Sequence, residues 1–243
     1  DGRNTFDAVQ AEGATRIARM AAANGVERMV HVSAIGADAK SASLYQRSKA
    51  AGEAGVLEHM PRAVILRPSI VFGPEDQFFN RFAQMTRTSP FLPVVGARTR
   101  FQPVFVDDVA AAAMVAVEGG AAPGIYELGG PDVETFRELM EGMLRLIRRR
   151  RLIVAVPFWA GHLMGGGFDL LNRLTFGLVS GPITRDQVRN LAVDNVVSPG
   201  AKGFAELGLR PTAMETELPD YLWRFRPGGQ YADATASAQD LRG

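Results

Sequence analysis

Two side chains in this sequence are spaced to act together, Tyr45 and Lys49. Four residues apart on a helix they share a face, so a phenol and an ammonium point into the same space. A neighbouring ammonium lowers the pKa of a phenol and can also donate to a ribose hydroxyl, which suits the pair to work beside a nicotinamide cofactor. The chain has four tyrosines and three lysines, so a chance Tyr-x-x-x-Lys has odds of roughly 5%. The plain alternative is a tyrosine and a lysine on a solvated helix face, and the surrounding segments weigh against it.

Those segments supply what must hold the pair. Met29 to Val32, apolar but for His31, suits a parallel strand covered on both faces. Ahead of it, Phe6, Val9, Ala14, Ile17, Ala18 and Ala21 recur at helical spacing between Thr5 and Ala23, and Gly25 is the expected C-cap. Helix, buried strand and helix in succession predict a doubly wound sheet. The second helix runs out near His59, Pro61 marks a break, and Ala63 to Leu66 is the next strand. Asp76 to Thr86 is amphipathic, with Phe78, Phe79, Phe82 and Met85 read as packing. Phe101 to Val106 predicts a strand running into Asp107-Asp108-Val109, whose acidic pair is expected to cap an alanine-rich helix and suit its dipole. Ile125 to Leu128 and Thr135 to Ile147 add a strand and a helix.

Composition narrows the function. With 243 residues, 47% of them hydrophobic, the chain can build one sizeable core or a core and a small second lobe. A net charge of +1 gives nucleic acid no electrostatic footprint to bind. The absence of cysteine excludes disulfides and thiolate metal sites. His31, His59 and His162 are scattered without ligand spacing, so no metal site is expected. In the C-terminal third, the basic run Arg148 to Arg151 precedes Leu152 to Val156, Pro157 and the apolar stretch Phe158 to Leu171. His162, three glycines and Asp169 interrupt that stretch, so it is not read as a transmembrane helix. A basic cluster beside apolar residues can lie on a membrane surface or against a partner, and two short core helices of a lobe fit equally well.

The strand, Ser33, the loop and Tyr45-x-x-x-Lys49 together resemble the active-site segment of the short-chain dehydrogenase/reductase superfamily, in its extended or atypical branch. Arg67-Pro68-Ser69-Ile70-Val71-Phe72-Gly73-Pro74 and the stretch from Phe101 to Val109 are similar to further segments of that superfamily. A narrower likeness runs through Gly2 to Gly13, Phe72 to Phe82, Leu178 to Ile183, Thr184 to Val188, Asp194 to Ser198, Phe204 to Gly208 and Pro211-Thr212. These segments resemble the dehydrogenase-like accessory subunit of respiratory complex I (NADH:ubiquinone oxidoreductase) and its proteobacterial relatives.

The resemblance implies an α/β fold with a doubly wound, Rossmann-like parallel sheet and a small, mostly helical C-terminal lobe. Residues 1–130 would belong to a dinucleotide-binding domain, with 68–100 partly in the lobe; 131–226 would form the lobe and 227–243 a flexible tail. The implied catalytic groups are Tyr45, Lys49 and Ser33, and the implied cofactor contacts are these three with Ala34, Pro68, Ser69 and Ile70. In many extended members the carbonyl-binding hydroxyl lies one position after the serine that matches Ser33, where this chain has Ala34. The register therefore decides whether a proton relay is complete.

No G-x-G-x-x-G precedes the first strand, and Gly165-Gly166-Gly167 follows no strand-turn-helix pattern. In a doubly wound dinucleotide fold the glycine turn follows the first strand. The expectation is that roughly 70 to 90 residues carrying it are absent from this chain, along with the residue that selects NAD or NADP. The resemblance implies NADP(H), with NAD as the other choice, complex I subunits as partners, and peripheral placement on the cytoplasmic face of a bacterial inner membrane. Two readings stand: a subunit that holds its cofactor without turnover, and an NAD(P)-dependent reductase or epimerase acting on a small carbonyl, sugar or isoprenoid-like substrate.

Overall fold

The computed structural model describes residues 5–175 and 183–229; the predicted tail beyond 229, residues 1–4 and most of the 178–183 motif lie outside the described residues. A turn of π-helix at Asp7–Glu12 leads into helix α1 (Gly13–Ala23), strand β1 (Val30–Val32) and helix α2 (Leu44–His59). Strands β2 (Val64–Pro68) and β3 (Val71–Phe72), helix α3 (Phe79–Thr88), and strands β4 (Phe91–Val95), β5 (Arg100–Phe101) and β6 (Val104–Phe105) follow. Next come α4 (Val106–Glu118), β7 (Gly124–Leu128), β8 (Glu134–Thr135), α5 (Phe136–Leu146) and β9 (Leu152–Val156). Helices α6 (Phe158–Leu174), α7 (Arg185–Asn190) and α8 (Met214–Leu222) complete the order.

β1, β2 and β7 pair in parallel in that order, with Val30 opposite Val64 and Val64 opposite Gly124. Successive side chains on a strand point to opposite faces, and β2 shows why its first three residues, Val64 to Leu66, are all apolar. Ile65 packs with Ala18, Val56 and Met60 beneath α1 and α2, while Val64 and Leu66 pack with Ala112, Ala116 and Leu128 beneath α4. Helices cover both faces, as the continuous apolar runs predict.

A third cluster builds the lobe. Phe72, Phe79, Leu92 and Phe101 meet Phe136, Leu139, Met140 and Met143 of α5 and Leu218 and Leu222 of α8. The Phe78 ring touches Phe79, Phe82, Phe101 and Phe136 at centroid distances of 5.0–6.2 Å, so the predicted phenylalanines do pack. Thr135 and Glu138 form a capping box that starts α5.

Three local expectations change. Along the π-turn and α1, Ala14, Ala18 and Ala21 face the core, while Phe6, Val9 and Ile17 remain exposed with Met20. The cause lies on α2: a side chain at Gly52 or Gly55 would collide with Gln10 or Thr15, so the helices approach through small residues and the larger apolar stripe turns outward. In α4, Phe105 is the N-cap and no side chain caps the helix. The predicted capping pair sits in the first turn, where it suits the dipole, and Asp108 accepts from the amide and hydroxyl of Thr212 at 2.6 and 3.1 Å.

Finally, the stretch after Pro157 is a single helix, α6, rather than two short ones. Trp159, Leu163, Leu170 and Leu174 are 58–71% exposed and fall on one stripe of it. Gly165 lies against α7, where an added Cβ would come within 2.8 Å of the Arg185 amide; Gly165 and Gly166 form a packing notch, and Gly167 faces open space. Among the described residues, no helix is long and apolar enough to cross a membrane.

Candidate functional site

The ends of β1 and β2 bring the predicted residues together. The Ser33 amide donates to Leu66 O at 2.7 Å, the Ile35 amide to Pro68 O at 3.0 Å and the Ser69 amide to Leu128 O at 2.9 Å. Ser33, Ala34, Pro68, Ser69 and Ile70 thus sit at the carboxyl ends of adjacent parallel strands, where ligands of open α/β sheets bind. Helix α2 starts at Ser43, whose hydroxyl caps the Gln46 amide. One turn in, Lys49 Nζ reaches back to Val32 O at 3.4 Å and lies 5.9 Å from the centre of the Tyr45 ring. Phe6 meets the same ring edge-on at 5.8 Å.

Ser33 is 4% exposed, and its Oγ has no hydrogen-bond partner among the described residues. Such a buried hydroxyl carries a desolvation penalty unless something bonds it. It fits a site for a polar ligand atom, as does the half-buried pair Tyr45 and Lys49. Nearby, His31 Nε2 is likewise buried without a partner.

Burial dominates the electrostatics. It pushes the Tyr45 phenol above its ordinary range and the Lys49 ammonium below its own, with Glu53 opposing the latter shift. The sequence predicts that Lys49 lowers the phenol; the structure reverses the direction because the buried surroundings disfavour phenolate. Tyr45 therefore keeps its proton at neutral pH. His31 is lowered by burial first and by Lys49 second, with Glu53 working the other way.

Groups that the sequence reading did not single out hold this arrangement. Glu53 lies four residues beyond Lys49 and accepts two hydrogen bonds from Arg67, at 2.8 and 2.6 Å. Glu127 of β7 stands 3.6 Å from the same guanidinium and accepts from the Ser198 amide at 2.7 Å. Both carboxylates are buried, and the Glu53 hydrogen bond is the main cause of a raised Arg67 pKa. Helix α2 is thereby fastened at its middle to β2 and β7. The i,i+4 step from Lys49 to Glu53 was the available signal.

The lobe reaches the site through two more residues. Asn195 Oδ1 accepts from Ser69 Oγ at 2.7 Å and from the Ile70 amide at 3.1 Å, while its Nδ2 donates to Ile35 O at 3.3 Å. The polar groups of Ser69 and Ile70 are therefore engaged within the chain. Asp186 of α7 accepts from Ser43 Oγ at 2.8 Å, the Leu44 amide at 2.7 Å and the Tyr45 amide at 3.1 Å.

Comparison with known proteins gives this geometry a context. Residues 2–150 match the family described as the RmlD substrate binding domain. The chain is 38% identical over 218 residues to the mitochondrial NADH dehydrogenase (ubiquinone) 1 alpha subcomplex subunit 9 of Arabidopsis thaliana, covering 88% of this chain and 54% of that protein. It is 30% identical over 239 residues to the mitochondrial NADH-ubiquinone oxidoreductase 40 kDa subunit of Neurospora crassa, covering 98% and 61%. The chain thus spans less than two thirds of the length of these relatives. A crystal structure of a dTDP-glucose 4,6-dehydratase from Streptomyces venezuelae with NAD bound shares its fold, with a TM-score of 0.65 at 21% identity over 92% of this chain and 67% of that one.

Proposed function

We propose, from the premise that this chain belongs to the RmlD substrate binding domain family, that it is part of an accessory subunit of NADH:ubiquinone oxidoreductase that holds NADP(H) without turning it over. The observation that carries the reading is the gathering of Tyr45, Lys49 and the unpartnered Ser33 hydroxyl at the strand ends, in a chain similar to two proteins named as subunits of NADH:ubiquinone oxidoreductase. In this reading the Lys49 ammonium donates to the ribose beside the nicotinamide, the Tyr45 phenol keeps its proton and orients that ribose, and Ser33 Oγ bonds a polar atom of the nicotinamide end. Ala34, Pro68, Ser69 and Ile70 frame the same end. A bound nicotinamide would supply hydride chemistry, but Asn195 commits the polar groups of Ser69 and Ile70 to the lobe, which favours retention over exchange of substrates.

Peripheral attachment at the cytoplasmic face of a bacterial inner membrane belongs to the same proposal. It draws support from the exposed apolar stripe of α6 and from the arginines that precede β9, of which Arg148 and Arg150 are exposed.

The second reading, a reductase or epimerase for a small carbonyl or sugar, is favoured by one observation, the survival of all three catalytic side-chain types at one place. A single experiment separates the two. The full-length protein is followed on a native gel of solubilised membranes, with nucleotide extracted from its band. The subunit reading expects comigration with NADH:ubiquinone oxidoreductase activity, bound NADP(H), and a Tyr45→Phe variant that assembles normally. A soluble protein that migrates apart from the complex and loses carbonyl reduction with Tyr45→Phe would establish the reductase instead.

A further inference from the structure

The first amides of a helix have no partner within it. In α2, two of them, Leu44 and Tyr45, are taken up by a carboxylate 141–142 residues away, at 2.7 and 3.1 Å. The same carboxylate accepts from the hydroxyl of the N-cap residue Ser43. We propose that Asp186 is a positioning residue for the nucleotide site: it sets the direction in which α2 presents Tyr45 and Lys49, and so couples the seat of α7 to cofactor retention. The proposal rests on the reading that these two side chains hold NADP(H).

Asp186 is suited to this because it is itself fixed. Its helix begins with a capping box between Thr184 and Gln187, and Val188 is fully buried. The next residue back, Arg185, donates its amide to Asp169 of α6 at 3.1 Å and rests in the notch left by Gly165 and Gly166. The Asp186 side chain is 14% exposed. A carboxylate at a helix N-terminus is also favoured by the helix dipole. Most telling is that Tyr45 is tethered through its own backbone N–H, so a change in this contact moves the phenol directly and Lys49 one turn later.

A general loosening of the lobe would be a different effect, and the same segment contains the control. Asp194 ties the chain to β5 through the Arg100 amide and guanidinium at 2.7–2.9 Å and has no bond to α2. In the full-length protein, NADPH affinity is measured by nucleotide fluorescence and amide protection of Leu44 to Lys49 by hydrogen exchange, for Asp186→Ala, Asp186→Asn, Asp194→Ala and Lys49→Ala. Expected is a rise in Kd of about tenfold for Asp186→Ala, with protection lost across the first turn of α2. Asp186→Asn, which keeps one acceptor oxygen, recovers part of both and stands in for the alanine variant should that one not fold; Asp194→Ala leaves both near wild type.

If Lys49→Ala weakens binding while Asp186→Ala and Asp186→Asn do not, the positioning role is overturned and the cofactor reading stands. Equal losses for Asp186→Ala and Asp194→Ala also overturn it, because they mark a general seat for the lobe. A wild-type protein that binds no NADPH, or a Lys49→Ala variant that binds it normally, overturns the cofactor reading and this proposal with it.

Discussion

Glu53 and Asp186 both tether helix α2 with a carboxylate, but Glu53 bonds a guanidinium inside the protein and Asp186 bonds backbone amides and a hydroxyl at the helix end. The first attachment comes from β2 in the sheet, the second from a helix more than a hundred residues later. In the first, two buried carboxylates share one cation, so each group depends on the others for its charge to be tolerable. In the second, the counter-charge is the half-exposed Arg189 on the carboxylate's own helix at 4.0 Å, and toward α2 the carboxylate meets amides and a hydroxyl, so it fixes direction. Stability and placement are thus divided between the middle of α2 and its N-terminal end.

The strongest way to break this comparison is Arg67→Ala. It leaves Glu53 and Glu127 buried without their cation and is expected to cost about 3–5 kcal/mol in urea unfolding. Arg67→Lys should recover only part, since an ammonium does not match the two-point contact with Glu53. A loss below ~1 kcal/mol for Arg67→Ala would show that the two anchors do not differ in kind.

Asp186→Ala is expected to cost less in the same assay, about 1–2 kcal/mol, on the scale of a lost helix cap. The exposed pair of Arg100 and Asp194 is expected to matter least, with Asp194→Ala changing stability by about 0–1 kcal/mol. If that order were inverted, the lobe rather than the sheet would carry the stability of α2.

A pH profile sharpens the picture from the sheet side. Burial holds the folded-state pKa of His31 below its ordinary value of 6.5, so the unfolded chain binds a proton more readily than the folded one. Stability should therefore fall as pH drops below about 6.5 toward the folded value. The contribution from this residue should vanish in His31→Gln, as read from unfolding midpoints across that window. An unchanged slope would remove His31 from the acid response.

The contrast also explains what could be read in the sequence. Tyr45 and Lys49 were legible because a four-residue step needs only a helix, and Ser33 because it follows an apolar strand. Strands β1 and β2 were legible from short, mostly apolar runs, and β7 from the run that ends at the Gly129-Gly130-Pro131 turn. The orientation of α1 was not, since its larger apolar stripe competes with an alanine stripe and the deciding glycines, Gly52 and Gly55, lie on another helix. Asp186 and Asn195 carry no local signal for their roles. Their partners stand 125 to 160 residues away and are mostly backbone groups, which every residue possesses. The direction of the Tyr45 shift was hidden for a related reason, because spacing reports proximity to Lys49 but not how dry the surroundings are.

Asn195 adds a matter of timing. Its single amide bridges the loop after β1 and the loop after β2, bonding Ile35 O on one side and Ser69 and Ile70 on the other. Any motion that parts those two loops must first release this side chain from one of them. The segment carrying Asn195 thus works as a fastener across the strand ends, and under the proposed reading the residence time of a guest would depend on the lifetime of that fastener as well as on the grip of the groups beneath it.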